Sequence, residues 1–301
     1  MTYEERLKQL TEQNPDIVIL TAENRGAMRG LAPLLGDRFV DVGIAEQTLV
    51  GAAAGLALRG RIPLVHAFSA FLTMRAFEFI RTDVGVGRLP VKLIGAASGF
   101  LSEANGPTHQ ALEDIALMRG IPGMQVVCPA DADELVEALP SIVDSQEPCY
   151  VRYVGFGPAV RHTARFEFGT AEVIRGGEDV TILSYGFLLR EAARAAELLE
   201  AERISVRVLN LRSLQPLDKA AILQSVSETR LLVTLEDHFL TGGLFSIVSE
   251  LLARNRAACN VLPVALENRW FKPALLDEAL QYEGFTAPQL AERIVKRYRE
   301  L

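Results

Sequence analysis

FVDVGIAEQTLVGAAAGLALRG (Phe39–Gly60) decides how this chain folds. A short β-branched run reaches Gly43, and a long run of small residues and leucines starts within three residues, so a strand turns directly into a helix. The same unit repeats outward from it. DIVIL (Asp16–Leu20) lies upstream; IPLVHAF (Ile62–Phe68), VKLIGAA (Val91–Ala97), MQVVCPA (Met124–Ala130) and CYVRYV (Cys149–Val154) follow as strands. Between them the pattern predicts helices over Ala45–Leu58, Ala70–Val84, Gln110–Arg119 and Ala132–Asp144, after a leading helix Glu4–Gln13. The helix at Ala132 begins behind Asp131 with Glu134 three residues on, a capping signature. Strands alternating with amphipathic helices specify an α/β fold with a mainly parallel sheet flanked by helices.

The alternation breaks after Val154. GFGPAVRHTARFEFG (Gly155–Gly169) is rich in glycine and mixed charge and reads as a linker. It then resumes: strands at Asp179–Gly186, Ile204–Leu211, Arg230–Asp237 and Val261–Leu266, with helices at Leu188–Ala201, Leu217–Val226, Gly243–Asn255 and Ala287–Leu301. The expected organisation is therefore two successive α/β domains, 1–156 and 170–301, joined by a linker 157–169. A length of 301 residues suits two domains.

Composition narrows the function classes. Charged residues make up 23% and hydrophobic ones 49%, a globular balance that excludes a disordered chain. The net charge of −7 argues against a nucleic-acid surface. The longest uncharged window, Ile62–Met74, is short of a membrane span and carries Pro63 and His66. MTYEERLKQL has no apolar signal region, and three scattered cysteines (Cys128, Cys149, Cys259) form no disulfide framework or zinc motif, so a reduced, cytoplasmic setting is expected. A mean hydropathy of +0.18 is high for such a chain; large buried interfaces would account for it.

No phosphate loop, dinucleotide fingerprint, nucleophile elbow or metalloprotease motif occurs, and four histidines without paired spacing give no metal cluster. Ligands of α/β proteins sit at the carboxyl ends of strands, so residues just after strands are the candidates. Glu46 opens a helix: it either complements the helix dipole or, flanked by apolar residues, is a poorly solvated acid whose raised pKa suits proton sharing. His109 is expected at a helix start, where its cationic form is disfavoured; it either serves chemistry as a neutral imidazole or merely bonds backbone. Phe71, Met74 and Phe77, spaced by three, form one helix face, core or pocket. Arg152, amid apolar residues near a strand end, is either paired in the core or free to hold an anionic ligand group.

Four stretches together resemble the C-terminal portion of transketolases, and more distantly 1-deoxyxylulose-5-phosphate synthase and the β subunits of 2-oxoacid dehydrogenases. They are DVGIAEQ (Asp41–Gln47), SAFLTMRAFE (Ser69–Glu78), GPTHQALEDIALMRGIPGMQVVCPAD (Gly106–Asp131) and TLEDHFLTGGLFSIVSE (Thr234–Glu250). The resemblance implies thiamine diphosphate bound between two chains, with the first domain as the pyrimidine-binding one. Glu46 then matches the acid that hydrogen-bonds the aminopyrimidine ring nitrogen. Phe71 matches the aromatic that stacks on that ring, with Phe77, Ile44 and Met74 in the same pocket. His109 matches a histidine that contacts the donor sugar and assists proton movement, and Arg152 an arginine that holds substrate phosphate.

Departures from the family pattern bear on the substrate. Asn105 stands where the family carries an acid that reads a sugar hydroxyl, and Glu23, Asn24 and Arg25 replace an Asp–Ser pair near the phosphate. Met74 replaces a third aromatic. The Gly-Asp-Gly motif that accompanies Mg²⁺ and diphosphate is missing from the chain. The expectation is therefore the C-terminal subunit of a split transketolase, with its own initiator Met and half of an active site. It would carry no metal ligand of its own and would pair in an α2β2-type heterotetramer with a pyrophosphate-domain chain that holds Mg²⁺. Together they would transfer a two-carbon ketol unit between sugars or sugar phosphates. The alternatives are a decarboxylating relative on the same scaffold and a non-catalytic binding module. His238 reads as structural rather than catalytic, and Trp270 as an interface residue.

Overall fold

The computed structural model describes residues 1–267 and 269–301. The first sheet takes β1 (Ile17–Thr21), β2 (Phe39–Asp41), β3 (Ile62–Phe68), β4 (Lys92–Ala96), β5 (Gln125–Val127) and β6 (Cys149–Arg152). The second contains β7 (Glu172–Arg175), β8 (Val180–Ser184), β9 (Val206–Asn210), β11 (Leu231–Phe239) and β12 (Asn260–Leu266). A short strand between them in sequence, β10 (Ser213–Gln215), leaves the second domain and pairs antiparallel with β5. The first sheet thus has seven strands in the order β10-β5-β6-β4-β3-β1-β2, and the second five in the order β12-β11-β8-β9-β7. Apart from β10 and β7, which are antiparallel to their neighbours, the pairings are parallel.

Burial explains the strand choice. Every residue of β1 and of β8 is buried, as the central strand of a parallel sheet covered on both faces requires. Along β1, Val18 and Leu20 join one apolar cluster while Ile17 and Ile19 join another, so the strand feeds both faces. The first cluster runs on into the second domain through Leu183, Leu209, Leu244 and Val248, so a continuous apolar core links the two sheets. The second domain has a further core, built on Val180, Ile182 and Val233 and closed by the helices Leu189–Ala201 and Ala287–Arg299. Among the described residues no helix is long and apolar enough to cross a membrane.

Two expected helices are corrected. Ala70–Val84 is not one α-helix: it runs as a π-helix at Phe71–Arg75, a short α-turn at Phe77–Phe79 and a second π-helix at Ile80–Gly85. Wider turns align residues four or five apart, so Phe71, Met74 and Phe77 do not share a face. Phe77 packs instead against the first core cluster. The helix expected from Gln110 begins at Asp114, because Ala111 pairs with Ser98 in an isolated parallel bridge. Two strands (β7 and β10) and the helix Leu276–Glu283 were not expected from the pattern; the strands are three or four residues long, too short to show a period.

Candidate active site

The residues singled out in the first domain lie at the carboxyl ends of adjacent strands. After β2, Asp41 accepts the Gly43 amide at 2.9 Å and the Glu23 amide at 3.2 Å, and binds the Arg25 guanidinium. Gly43 sits at φ 72°, a left-handed turn that glycine adopts without strain. The turn delivers Glu46 to the first position of the helix Glu46–Leu58, behind a cap residue, Ala45, that offers no side-chain bond. Glu46 is 2% exposed, so the water-poor setting read from its flanks is met. Its carboxylate is not alone there: Arg75 Nη1 lies 2.7 Å away.

The same guanidinium covers the Phe71 ring at 4.4 Å from its centroid, an i to i+4 contact that the π-helical turn provides. Phe71 in turn meets the His109 ring edge-on at 4.9 Å, and Phe68, at the end of β3, touches both rings at 6.1 and 5.8 Å. Glu46, Arg75, Phe71, His109 and Phe68 therefore form one continuous patch. It is an open face: Ile44, Phe68 and Met74 remain 74%, 37% and 37% exposed. A carboxylate shielded from water beside a half-buried aromatic ring suits a planar nitrogen heterocycle, which needs one polar partner for a ring nitrogen and one π-face.

His109 stands in a turn rather than at a helix start, since the helix begins five residues later; the helix-dipole argument for its neutral form falls away. The Thr108 hydroxyl is 3.0 Å from Nδ1, and when it donates there the imidazole proton resides on Nε2. Asn105, exposed four residues earlier, donates its amide to the Ser102 carbonyl at 2.9 Å, which leaves Oδ1 as the acceptor. Arg25 is half exposed on the rim, its charge matched by Asp41.

Arg152 corrects the phosphate-binding expectation. It is 5% exposed, and its guanidinium is shared between Asp114 (2.9 and 2.6 Å) and Asp237 (2.5 Å). Tyr150 extends the network, donating to Asp114 at 2.6 Å and accepting from the Ser69 hydroxyl at 3.1 Å, and Ser69 meets Ser98 at 2.6 Å. Burial pushes Asp237 up to about 6 despite Arg152; in Asp114 burial acts the same way, but the Arg152 charge outweighs it and holds the carboxyl low. A cation committed to two carboxylates in the core has no face left for a ligand.

The remaining histidines bond within the fold. Burial lowers His66 to about 3 and His238 to about 4; the first meets the Tyr3 hydroxyl, and the second bridges the Phe239 carbonyl and the Ala116 amide. His162, in the linker, bonds Asp131 at 2.9 Å and Glu172 at 2.7 Å. Burial alone would lower its pKa, but the two carboxylates and Glu134 raise it to about 9. Glu134, His162 and Glu172 could in outline hold a metal ion, yet Arg212 already neutralises both glutamates at 3.1 and 2.9 Å.

Sequence reading missed Phe68, Arg75 and Thr108. Phe68 ends a strand where a site residue is expected, and Arg75 lies four residues beyond Phe71; both offsets were available signals.

The transketolase pyrimidine-binding-domain family model matches residues 1–154, and the transketolase C-terminal-domain model matches residues 169–290. A 6-deoxy-6-sulfo-D-fructose transketolase subunit from Clostridium sp. (strain MSTE9) is 38% identical over 294 residues, 96% of this chain and 91% of that protein. A solved structure described as a split gene transketolase, inactive β4 tetramer, is 36% identical with a TM-score of 0.88, covering 98% of this chain and 96% of the other. A 1-deoxy-D-xylulose-5-phosphate synthase from Dictyoglomus thermophilum is 34% identical over 296 residues, 96% of this chain but 47% of its own length.

Proposed function

The chain belongs to the transketolase family of thiamine-diphosphate enzymes, and on that premise we propose that it is the C-terminal subunit of a split transketolase, transferring a two-carbon ketol unit between sugar or sugar-phosphate substrates. Full-length likeness to split-gene subunits supports this reading. The single observation that carries it is the open patch of buried Glu46, Phe71 and His109, which offers half of a cofactor site and leaves the other half to a partner.

Thiamine diphosphate, when bound, supplies the carbon nucleophile and electron sink for breaking and remaking the bond beside a ketose carbonyl. This chain's residues prepare and guard that chemistry. Glu46 shares a proton with the aminopyrimidine ring nitrogen, and its near-complete burial makes that hydrogen bond stronger than a solvated one. Phe71 offers its face to the ring; Phe68, Ile44, Met74 and, from the core side, Phe77 exclude water around it. His109 holds a proton at Nε2 toward the donor sugar's hydroxyl, and Asn105 Oδ1 accepts from a neighbouring hydroxyl. Arg25 stands on the rim as the candidate for a distal anionic group, the task Arg152 does not have. Mg²⁺ and the diphosphate fall to a pyrophosphate-domain subunit, in an α2β2-type heterotetramer within the cytoplasm.

The test is reconstitution. The chain, mixed with a partner carrying the Gly-Asp-Gly motif, thiamine diphosphate and Mg²⁺, is assayed with ketose donors and with pyruvate. Ketol transfer without decarboxylation supports the proposal. Pyruvate decarboxylation without ketose turnover moves the chain to the synthase branch, which the likeness to the Dictyoglomus enzyme keeps in play.

A further inference from the structure

The loop that carries Asn105, Thr108 and His109 belongs by sequence to the first domain, yet its anchors lie in the second. Phe100 and Leu112, both fully buried, are members of the second domain's core cluster. The Phe100 ring contacts Phe271 and Phe285 at 4.9 Å each. Leu112 gives its carbonyl to the Phe239 amide at 2.9 Å, and the Gly99 amide closes the loop on the Ala111 carbonyl at 3.0 Å. Gly99, at φ 56°, lies so close to Asp237 that a Cβ there would collide with its carboxylate. On the other flank, a Cβ added at Gly106 would meet the Pro273 ring at 3.6 Å. The loop is clasped at both ends by the second domain, while its tip faces the candidate site.

Within that clasp one side-chain hydrogen bond stands next to His109. Gln110 is 1% exposed, and its Nε2 donates to the Phe271 carbonyl at 2.9 Å across 161 positions of sequence. A backbone carbonyl only accepts, so the amide nitrogen must face it; Oε1 then lies buried with no partner among the described residues. Gln110 has no outlet to solvent. We infer that Gln110 is a positioning residue: it ties the His109 turn to the segment Trp270–Pro273, so the C-terminal domain sets where the imidazole stands. This role rests on the proposed reaction only in what His109 does, not in how the loop is held.

The chain carries its own reporter, because Trp270 is the sole tryptophan and adjoins Phe271. In the Gln110→Met variant, which keeps the length and removes the donor, amide exchange in the full chain should rise about fivefold to tenfold. The rise should be confined to residues 99–112 and 269–273, with a shift in Trp270 emission. In the reconstituted complex kcat should fall at least about tenfold while thiamine diphosphate affinity stays within about twofold, since Glu46 and Phe71 lie on other segments. Phe271→Leu, which keeps the carbonyl and thins the packing under Phe100, serves if the Met variant does not fold, and should loosen the same residues. Unchanged exchange in the loop, exchange raised throughout both domains, or a loosened loop with unaltered kcat would each overturn the assignment. If the wild-type complex transfers no ketol unit, the reading of the reaction fails, and the exchange pattern alone still decides the mooring.

Discussion

Replacing Arg152 by methionine separates two roles that sequence alone left open. The side chain is 5% exposed and bonds two buried carboxylates, Asp114 twice and Asp237 once. Methionine roughly fills the aliphatic volume but leaves both carboxylates without their counter-charge. Breaking a buried pair by removing one partner costs about 3–5 kcal/mol. At about 2–4 °C per kcal/mol for a unit of this size, the melting temperature should fall by about 6–20 °C. The loss should depend on pH with a definite sign. In the wild type, Asp114 has a lowered pKa, so its contribution is present above its unfolded pKa and fades as pH falls; Asp237, raised to about 6, contributes stability that is lost as pH rises through about 6. Without the guanidinium both carboxyls are pushed up. The variant's deficit should therefore shrink toward about pH 5, where they protonate, and be full at alkaline pH. Thermal unfolding followed by circular dichroism across that range is the assay. A variant that melts within about 1 °C of the wild type, with only a raised KM for a phosphorylated sugar, would refute the reasoning and return Arg152 to the substrate.

Glu46→Ala should lower activity of the reconstituted complex at least about 100-fold, while sedimentation shows assembly unchanged, since Arg75 is 43% exposed at its side chain and can lose its partner to water. His162 should make stability fall as pH rises through about 9: its folded pKa is raised above the ordinary 6.5, so the gain is complete below 6.5 and lost above about 9. His162→Gln should flatten that slope and cost about 1 kcal/mol at neutral pH, read from urea unfolding at a series of pH values.

The strands of the first domain were legible because each central one is apolar on both faces, and Ile62–Phe68 was placed to the residue. Glu46 was legible for a related reason: an acid embedded in an apolar helix start needs a purpose, and its burial follows from the same flanks. What the sequence hid were interactions that no local period encodes. The π-turns at Phe71–Arg75 shift side chains by a residue without altering composition. The Ser98–Ala111 bridge delays a helix that propensity would start four residues earlier. The sharing of Arg152 between Asp114 and Asp237 joins residues up to 85 positions apart. Non-local partners decide whether a buried cation is a ligand or a bolt, and a single sequence does not display them.

The strand Ser213–Gln215 bears on how such a protein can be divided. It is contributed by the second domain but completes the rim of the first sheet, covering the open hydrogen-bonding side of β5. Cut between the domains, the chain would bare that rim to any passing strand, an invitation to aggregate. The two domains are therefore coupled through one shared sheet edge.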